Sequence, residues 1–284
     1  MDKYRKILVA FDGSESGMNA LRESLKFAAD VNCRVTVISV IPRYEGDLSA
    51  LWTNNIRSSM EKQCSSSLSE ALKAAQKEGV TIETICEEGE IYERIVDFAG
   101  TENYDLIVMG KKGLSLVERA LVGSVTARVI GYSRQDVLVI PDGAKIAWKK
   151  LLVATDGSAY SEVAGRRAIE IAAQHNSEII SLSAVDVTVE FMLRAQEVYE
   201  HMVANAKTFA NSIKERAISA DIKADAIVRD GEVFKVIIDA AKEYQADMIV
   251  MGSLGRTGIK RLLMGSTAER VLGHASFPVL IVKP

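Results

Sequence analysis

Short runs of branched apolar residues alternate with longer amphipathic stretches along the whole chain. Strands that carry few polar positions are buried on both faces, and the intervening helices provide the cover. This alternation predicts an α/β fold with a mostly parallel, doubly wound sheet. In the first half the predicted strands are Ile7–Phe11, Arg34–Ile41, Val80–Cys86, Leu106–Met109 and Val137–Ile140, and the predicted helices are 16–30, 54–78, 90–100 and 123–132.

The chain repeats this pattern once. Residues 6–14 (KILVAFDGS) and 150–158 (KLLVATDGS) share seven of nine positions, and residues 89–113 share eleven of 25 with residues 231–255. Such collinear matches indicate a duplication, with domains at 1–143 and 148–284 joined by a short linker. We therefore predict two tandem five-stranded sheets, the second with strands near 151–154, 178–185, 222–228, 248–251 and 279–282 and a long helix over 190–217.

Charge and cysteine content narrow the function classes. A net charge of −3 gives no support for nucleic-acid binding, which usually needs a basic surface. The chain shows no signal-peptide pattern at its start and no apolar run long enough for a membrane span, so we expect a cytoplasmic protein. Cys33, Cys64 and Cys86 lack metal-ligand or disulfide-framework spacing, which favours three reduced thiols.

The candidate chemistry lies in a glycine-rich segment after the fourth strand. Gly110-Lys111-Lys112-Gly113 is followed by nine residues and then Gly123-Ser124, and Gly252-Ser253-Leu254-Gly255 precedes Gly265-Ser266 at the same spacing. Glycines allow close approach to an anion, and a helix N-terminus offers unpaired N–H groups. Ordinary turns and helix caps are the alternative. Two copies, each matched by an aspartate after the first strand, favour an anion site, with Ser124 and Ser266 as helix caps and phosphate contacts.

The pattern G-x2-G-x9-G-[S/T] after the fourth strand, with an aspartate ending the first, resembles the ATP-binding branch of the universal stress protein family. The resemblance covers essentially the whole chain, twice. It implies a Rossmann-like fold of the adenine nucleotide alpha-hydrolase type, and ATP or AMP in each domain, with Mg²⁺ accompanying ATP. It also implies that the last strands of the two halves pair as an intrachain pseudo-dimer, with a homodimer as a further assembly.

The same resemblance assigns roles to individual residues. Asp12 and Asp156 would hold the ribose or adenine side, and Val40 and Val185 would meet adenine through backbone groups. Two methionines at the end of the fourth strand, Met109 and Met251, would lean on the base or ribose, or serve only as core residues. The phosphates would lie on Gly110, Gly113, Gly123, Ser124 and Val125 in the first domain, and on Gly252, Gly255, Gly265, Ser266 and Thr267 in the second.

The function expected from these features is a nucleotide-binding stress-response or signalling module that acts on an unidentified protein partner. No candidate base or phosphoryl acceptor is evident, so slow or absent ATP hydrolysis is expected. One alternative is an ATP-using ligase or adenylyltransferase, which the Asp-Gly-Ser sequence after the first strand disfavours. The other is an interaction scaffold without nucleotide. Because Lys111-Lys112 is replaced by Ser253-Leu254, we also expect unequal phosphate affinities.

Overall fold

The computed structural model describes residues 3–43, 50–113, 122–255 and 264–284, with the backbone alone at 50–56. The chain divides into two compact units, Asp2–Ala144 and Lys145–Pro284, here called the N-terminal and C-terminal domains. Most of each nine-residue spacer in the glycine-rich segments, 114–121 and 256–263, lies outside the described residues. Across the described ranges, no helix combines the length and hydropathy needed to cross a bilayer.

The N-terminal domain is a parallel sheet with helices on its connections. Its strands run in the spatial order β3-β2-β1-β4-β5, and β1 pairs with both β2 and β4. Strand order therefore reverses between β1 and β4, which creates a crevice at their carboxyl ends. In chain order the elements are β1 (Lys6–Ala10), α1 (Glu15–Val31), β2 (Arg34–Ile41), α2 (Ala50–Lys77), β3 (Ile82–Glu88), α3 (Ile91–Thr101), β4 (Leu106–Gly110), α4 (Ser124–Tyr132) and β5 (Asp136–Ile140).

The C-terminal domain repeats the same topology. The strand order is β8-β7-β6-β9-β10, and all of the pairings are parallel. Its elements are β6 (Lys150–Ala154), α5 (Ala159–His175), β7 (Glu178–Val185), α6 (Val189–Arg194), α7 (Gln196–Ser219), β8 (Ala224–Asp230), α8 (Val233–Glu243), β9 (Met248–Gly252), α9 (Ser266–His274) and β10 (Val279–Val282). The predicted fold class, tandem α/β domains with mostly parallel sheets, is confirmed. The helix predicted over 190–217 is interrupted at Ala195, which separates α6 from α7.

Burial explains why these sequences form strands. All five residues of β4 and of β5 are buried, and the largest fully buried side chains include Ile7, Leu8 and Ile107. Branched side chains suit such a pleated surface covered on both faces. The polar and glycine residues that follow these strands lie beyond the core, at the edge of the sheet where the crevice opens.

The cysteines correct the sequence-based expectation of three reduced thiols. Cys64 on α2 and Cys86 on β3 form a disulfide, with their Cα atoms 6.4 Å apart, and Cys33 is not disulfide-bonded. The two bonded residues are 22 positions apart in sequence. Sequence spacing gave no sign of the bond because α2 carries the chain back across β2 and β3, and only that packing brings the two side chains together.

Candidate functional site

A cavity of about 330 Å³ lies at the carboxyl ends of the strands in the N-terminal domain. Its walls come from the ends of β1, β2 and β4, from α2, and from the start of α4. This is the position at which strand order reverses, so the topology itself creates the crevice. The described lining residues are Ala10–Asp12, Gly17, Ile38–Pro42, Met60, Gln63, Cys64, Ser67, Ile91, Ile95, Met109, Gly110, Lys112, Gly113 and Gly123–Thr126.

A tight turn after β1 positions the aspartate of the cavity. Asp12 Oδ1 accepts a hydrogen bond from the backbone N–H of Ser14 at 3.0 Å, and Ser14 Oγ accepts one from the N–H of Gly17 at 3.0 Å. Gly13 between them has a φ of +83°, which favours glycine. The turn thereby ends β1, caps α1 and holds the Asp12 carboxylate at the crevice.

The glycine-rich segment folds back against this aspartate. A Cβ atom added to Gly113 would lie 2.5 Å from Asp12 Oδ2, so the carboxylate lies directly against the glycine backbone. The N–H of Gly123 donates to the carbonyl of Lys111 at 3.1 Å, which closes the segment at its two ends. Buried Thr126 Oγ1 donates to the carbonyl of Gly110 at 3.2 Å and fixes the start of α4 on the end of β4.

The N-terminus of α4 faces the cavity with Gly123 as its N-cap, and no side-chain hydrogen bond caps the helix. Gly265 occupies the same position before α9, again without a side-chain cap. The prediction that Ser124 and Ser266 cap these helices is therefore wrong, because both serines are the first helical residues. A glycine N-cap has no side chain that could accept from the N–H groups of the first turn, an arrangement suited to an anion.

Two lysines distinguish the glycine-rich segment of the N-terminal domain. Lys112 lines the cavity, and its backbone N–H lies 3.5 Å from Ser16 Oγ. Lys111 is half-buried, and desolvation together with the adjacent charge of Lys112 lowers the pKa of its ammonium group. An anion bound at this segment would offset both unfavourable effects.

The C-terminal domain has a corresponding cavity of about 260 Å³. Asp156 Oδ1 accepts from the N–H of Ser158 at 3.0 Å, and a Cβ on Gly255 would lie 2.8 Å from Asp156 Oδ2. The N–H of Gly265 donates to the carbonyl of Ser253 at 2.9 Å. The geometry of the first site is thus repeated. Its described lining residues are Ala154–Asp156, Ser161, Leu182, Ala184, Val233, Ile237, Met251–Gly255 and Gly265–Ala268.

Both halves of the chain match one family. The model of the universal stress protein family matches residues 3–141 and again residues 147–283. The chain belongs to the universal stress protein family. Each match spans one of the two domains that carry the cavities, so the chain is a tandem member.

Relatives that match the whole chain and relatives that match about half of it support this membership. A universal stress protein of Mycolicibacterium smegmatis is 24% identical over 292 residues, which cover 98% of this chain and 97% of the relative. Universal stress protein MJ0531 of Methanocaldococcus jannaschii is 34% identical over 149 residues, covering 51% of this chain and 87% of the relative. A crystal structure of a universal stress protein from Archaeoglobus fulgidus shares the fold, with a TM-score of 0.76, 21% identity and coverage of 99% of this chain and 98% of that one.

Within this tandem universal stress protein, all of the predicted site residues except Val185 line one of the two cavities. The N-terminal cavity contains Asp12, Val40, Met109, Gly110, Gly113, Gly123, Ser124 and Val125. The C-terminal cavity contains Asp156, Met251, Gly252, Gly255, Gly265, Ser266 and Thr267. Met109 and Met251 are also core residues, with 5% and 6% of their surface exposed, and their contact with the base or ribose stays a prediction.

Val185 is not among the described lining residues of the C-terminal cavity, and the strand register places it one position beyond the equivalent of Val40. Ala10 pairs with Ile38, and Ala154 at the equivalent position pairs with Leu182, so the residue equivalent to Val40 is Ala184. Ala184 lines the cavity, whereas the carbonyl of Val185 accepts a hydrogen bond from the N–H of Gly231 at 2.9 Å. The backbone contact with adenine predicted for Val185 stays a prediction, and Ala184 is the residue at the position of Val40.

Sequence reasoning missed the wall that α2 contributes. Met60, Gln63, Cys64 and Ser67 line the N-terminal cavity, and their spacing of three to four residues places them on one face of the helix. That spacing was readable in the sequence, but nothing local showed which face of the long helix turns toward the crevice.

The two cavities differ most at the wall that α2 forms in the N-terminal domain. A Cβ on Gly13 would lie 2.8 Å from Ser67 Oγ, whereas a Cβ on Gly157 would lie 2.5 Å from the ring of Phe209 on α7. A half-buried phenylalanine thus occupies the place of a small serine. None of the described residues that line the C-terminal cavity comes from α7. Among the described residues there is also no group of three or more His, Cys, Asp or Glu side chains that could hold a metal ion.

Proposed function

We propose that each domain binds an adenine nucleotide in its cavity, with the phosphates on the glycine-rich segment and the ribose beside the aspartate. The observation that carries this proposal is the contact of Gly113 with Asp12 below the uncapped N-terminus of α4. A Cβ added to Gly113 would occupy the space between its backbone and the Asp12 carboxylate. The arrangement provides backbone donors for an anion and a carboxylate acceptor for sugar hydroxyls within one crevice.

The N-terminal cavity is the stronger candidate for the complete nucleotide. It is larger, it has a polar α2 wall with Gln63 and Ser67, and Lys112 adds positive charge at the phosphate end. In the C-terminal domain Leu254 replaces Lys112, and Phe209 stands where Ser67 lies. We propose tighter binding in the N-terminal cavity, and a weaker affinity for the base in the C-terminal one.

The proposed role is that of a stress-response or signalling module whose nucleotide state alters its interactions with a protein partner. Asp12 is the acidic residue among those described in the N-terminal cavity wall, and its Oδ1 is engaged by the Ser14 N–H. We propose slow hydrolysis as well, because the carboxylate in the described part of this wall is already held by a backbone hydrogen bond. Asp12 Oδ2 would be a protein ligand for Mg²⁺ when ATP is bound.

Nucleotide stoichiometry tests the proposal. The purified chain is denatured, the released nucleotide is identified by chromatography, and titration calorimetry with ATP and with AMP counts the sites. We expect about two sites per chain. Gly113→Ala should leave only the C-terminal site, because the new Cβ displaces the Asp12 carboxylate, and Gly255→Ala should leave only the N-terminal site.

The paired variants also separate the alternatives. If neither ATP nor AMP binds and neither shifts the melting temperature, the nucleotide proposal is refuted and an interaction scaffold becomes the better account. Steady ATP turnover at the rates of metabolic enzymes would instead favour the ligase or adenylyltransferase class.

A further inference from the structure

One wall of the N-terminal cavity contains a disulfide. Cys64 lines the cavity together with Met60, Gln63 and Ser67 from the same face of α2. Its sulfur is bonded to Cys86 on β3, the strand that ends the sheet order of this domain. The bond therefore ties the middle of the wall helix to the sheet, next to the side chains that would face a bound nucleotide.

The two sulfur atoms differ in accessibility. Cys64 is buried, with 4% of its surface exposed, whereas Cys86 is an exposed residue of β3. A reductant approaching from solvent therefore reaches Cys86 first, and the sulfur that leaves is that of Cys64 in the cavity wall. The pair therefore has one sulfur that a reductant can attack, Cys86 Sγ, and one that is shielded from solvent, Cys64 Sγ.

The C-terminal domain lacks this feature at the same positions. Cys86 pairs with Ser39 in the sheet, and Val228 pairs with Ser183 at the equivalent place. The residue equivalent to Cys64 on α7 is Ala206, which is also buried. The same fold thus forms without the cysteine pair, so the disulfide is a property of the N-terminal cavity rather than a requirement of the architecture.

We propose that Cys64–Cys86 is a reversible redox site that sets the nucleotide affinity of the N-terminal cavity. The proposal rests on the nucleotide-binding function proposed above. With the bond in place, α2 holds Gln63 and Ser67 in position, and binding requires little further ordering of the wall. When the bond is broken, α2 is released from β3. Part of the binding free energy is then needed to order the wall, so the affinity for the nucleotide falls.

The reaction is thiol–disulfide exchange with a dithiol reductant. A thiolate of the dithiol attacks Cys86 Sγ, the Sγ–Sγ bond breaks, and Cys64 leaves as a thiolate that takes up a proton. The second thiol of the reductant then attacks its own sulfur in the mixed disulfide, which releases Cys86 as a thiol and leaves the reductant as a disulfide. Two electrons and two protons pass to the cysteine pair, and an oxidised dithiol reverses the reaction.

Thiol counting in the full-length protein tests the chemical part. Alkylation after denaturation should modify one cysteine, Cys33, in the oxidised chain and all three cysteines after treatment with dithiothreitol. In a fixed dithiothreitol redox buffer, saturating ATP should lower the fraction of reduced chain at equilibrium. A ligand that binds the bonded state more tightly stabilises that state by the same factor. Three modified cysteines in the air-oxidised protein without reductant would refute the proposal.

Calorimetry tests the functional part on the Gly255→Ala chain, in which only the N-terminal site is counted. We expect the dissociation constant for ATP to rise by about fivefold or more on complete reduction, a coupling at the lower end of typical allosteric effects. The matched control is Cys64→Ala with Cys86→Val, which installs the residues of the C-terminal domain. Its affinity for ATP should not respond to dithiothreitol.

The outcomes separate the two proposals. An ATP affinity that is the same within twofold in oxidised and reduced protein refutes redox control and leaves nucleotide binding intact. The same response to dithiothreitol in the control variant also refutes it, because the effect would not come from this pair. Absence of ATP binding in both redox states and in the control refutes nucleotide binding in the N-terminal cavity, and the redox proposal with it.

Discussion

The close contact between β4 and the start of α1 gives a direct test of how the fold builds the N-terminal cavity. A Cβ atom added to Gly110 would lie 2.7 Å from the carbonyl carbon of Ser16 and 2.9 Å from the backbone nitrogen of Gly17. Carbon atoms at optimal separation are about 3.5–4.0 Å apart. Gly110→Ala therefore requires the end of β4 and the first turn of α1 to move apart by nearly 1 Å.

The expected cost follows from what the new methyl group meets. Overpacking of a close-packed region costs about 1–3 kcal/mol, and contacts with backbone atoms favour the upper part of this range because no side chain can rotate away. We expect a loss of about 2–3 kcal/mol in the N-terminal domain. Gly100→Ala is the matched control: nothing lies within 4 Å of its added Cβ, and α3 should gain about 0.5–1 kcal/mol.

Native-state hydrogen exchange, followed by mass spectrometry in the full chain, measures the effect domain by domain. A loss of about 2–3 kcal/mol corresponds to roughly 30- to 150-fold faster exchange of the amides of β1 and β4. Exchange in the C-terminal domain should change far less, and Gly100→Ala should slow exchange in α3. If Gly110→Ala left the hydrogen exchange of β1 and β4 unchanged within twofold, the close packing of β4 against the first turn of α1 would be contradicted.

Three further predictions concern the differences between the domains and the buried groups. Phe209→Ser should raise the affinity of the C-terminal cavity for ATP by several-fold, and Ser67→Phe should lower the affinity of the N-terminal cavity. Calorimetry measures both, and affinities unchanged from the parent chain in both variants would contradict the role of this position. Burial lowers the pKa of Lys283 from 10.5 to about 8, so the folded chain loses this proton first and should gain about 2–3 kcal/mol of stability as the pH rises from 8 to 10.5. Lys283→Met should abolish that rise in urea denaturation, and an unchanged pH profile would contradict the assignment. Under non-reducing conditions, Cys64→Ala with Cys86→Val should lower the free energy of unfolding by about 3 kcal/mol, because a cross-link between residues 22 positions apart is lost. Amide hydrogen-exchange rates in the N-terminal domain check this value, and unchanged rates would show that the bond does not form.

The sequence by itself determined the architecture. Continuous apolar runs identify strands buried on both faces, and the repeat of KILVAFDGS as KLLVATDGS marks the duplication. Both signals are patterns of the sequence itself and require no knowledge of packing. The glycine-rich segments were equally readable. Glycine spacing and a following helix describe local backbone chemistry, so the segment and its aspartate could be placed at the same edge of the sheet before any packing was known.

Tertiary structure alone decided the features that depend on how distant segments meet. Strand pairing placed Ala184 rather than Val185 at the position equivalent to Val40, since the register of β7 against β6 is not encoded within β7. The packing of the long helices decided the rest. It brought Cys64 to Cys86 in one domain and Phe209 over Gly157 in the other, and these contacts distinguish two cavities whose glycine and aspartate geometry is the same.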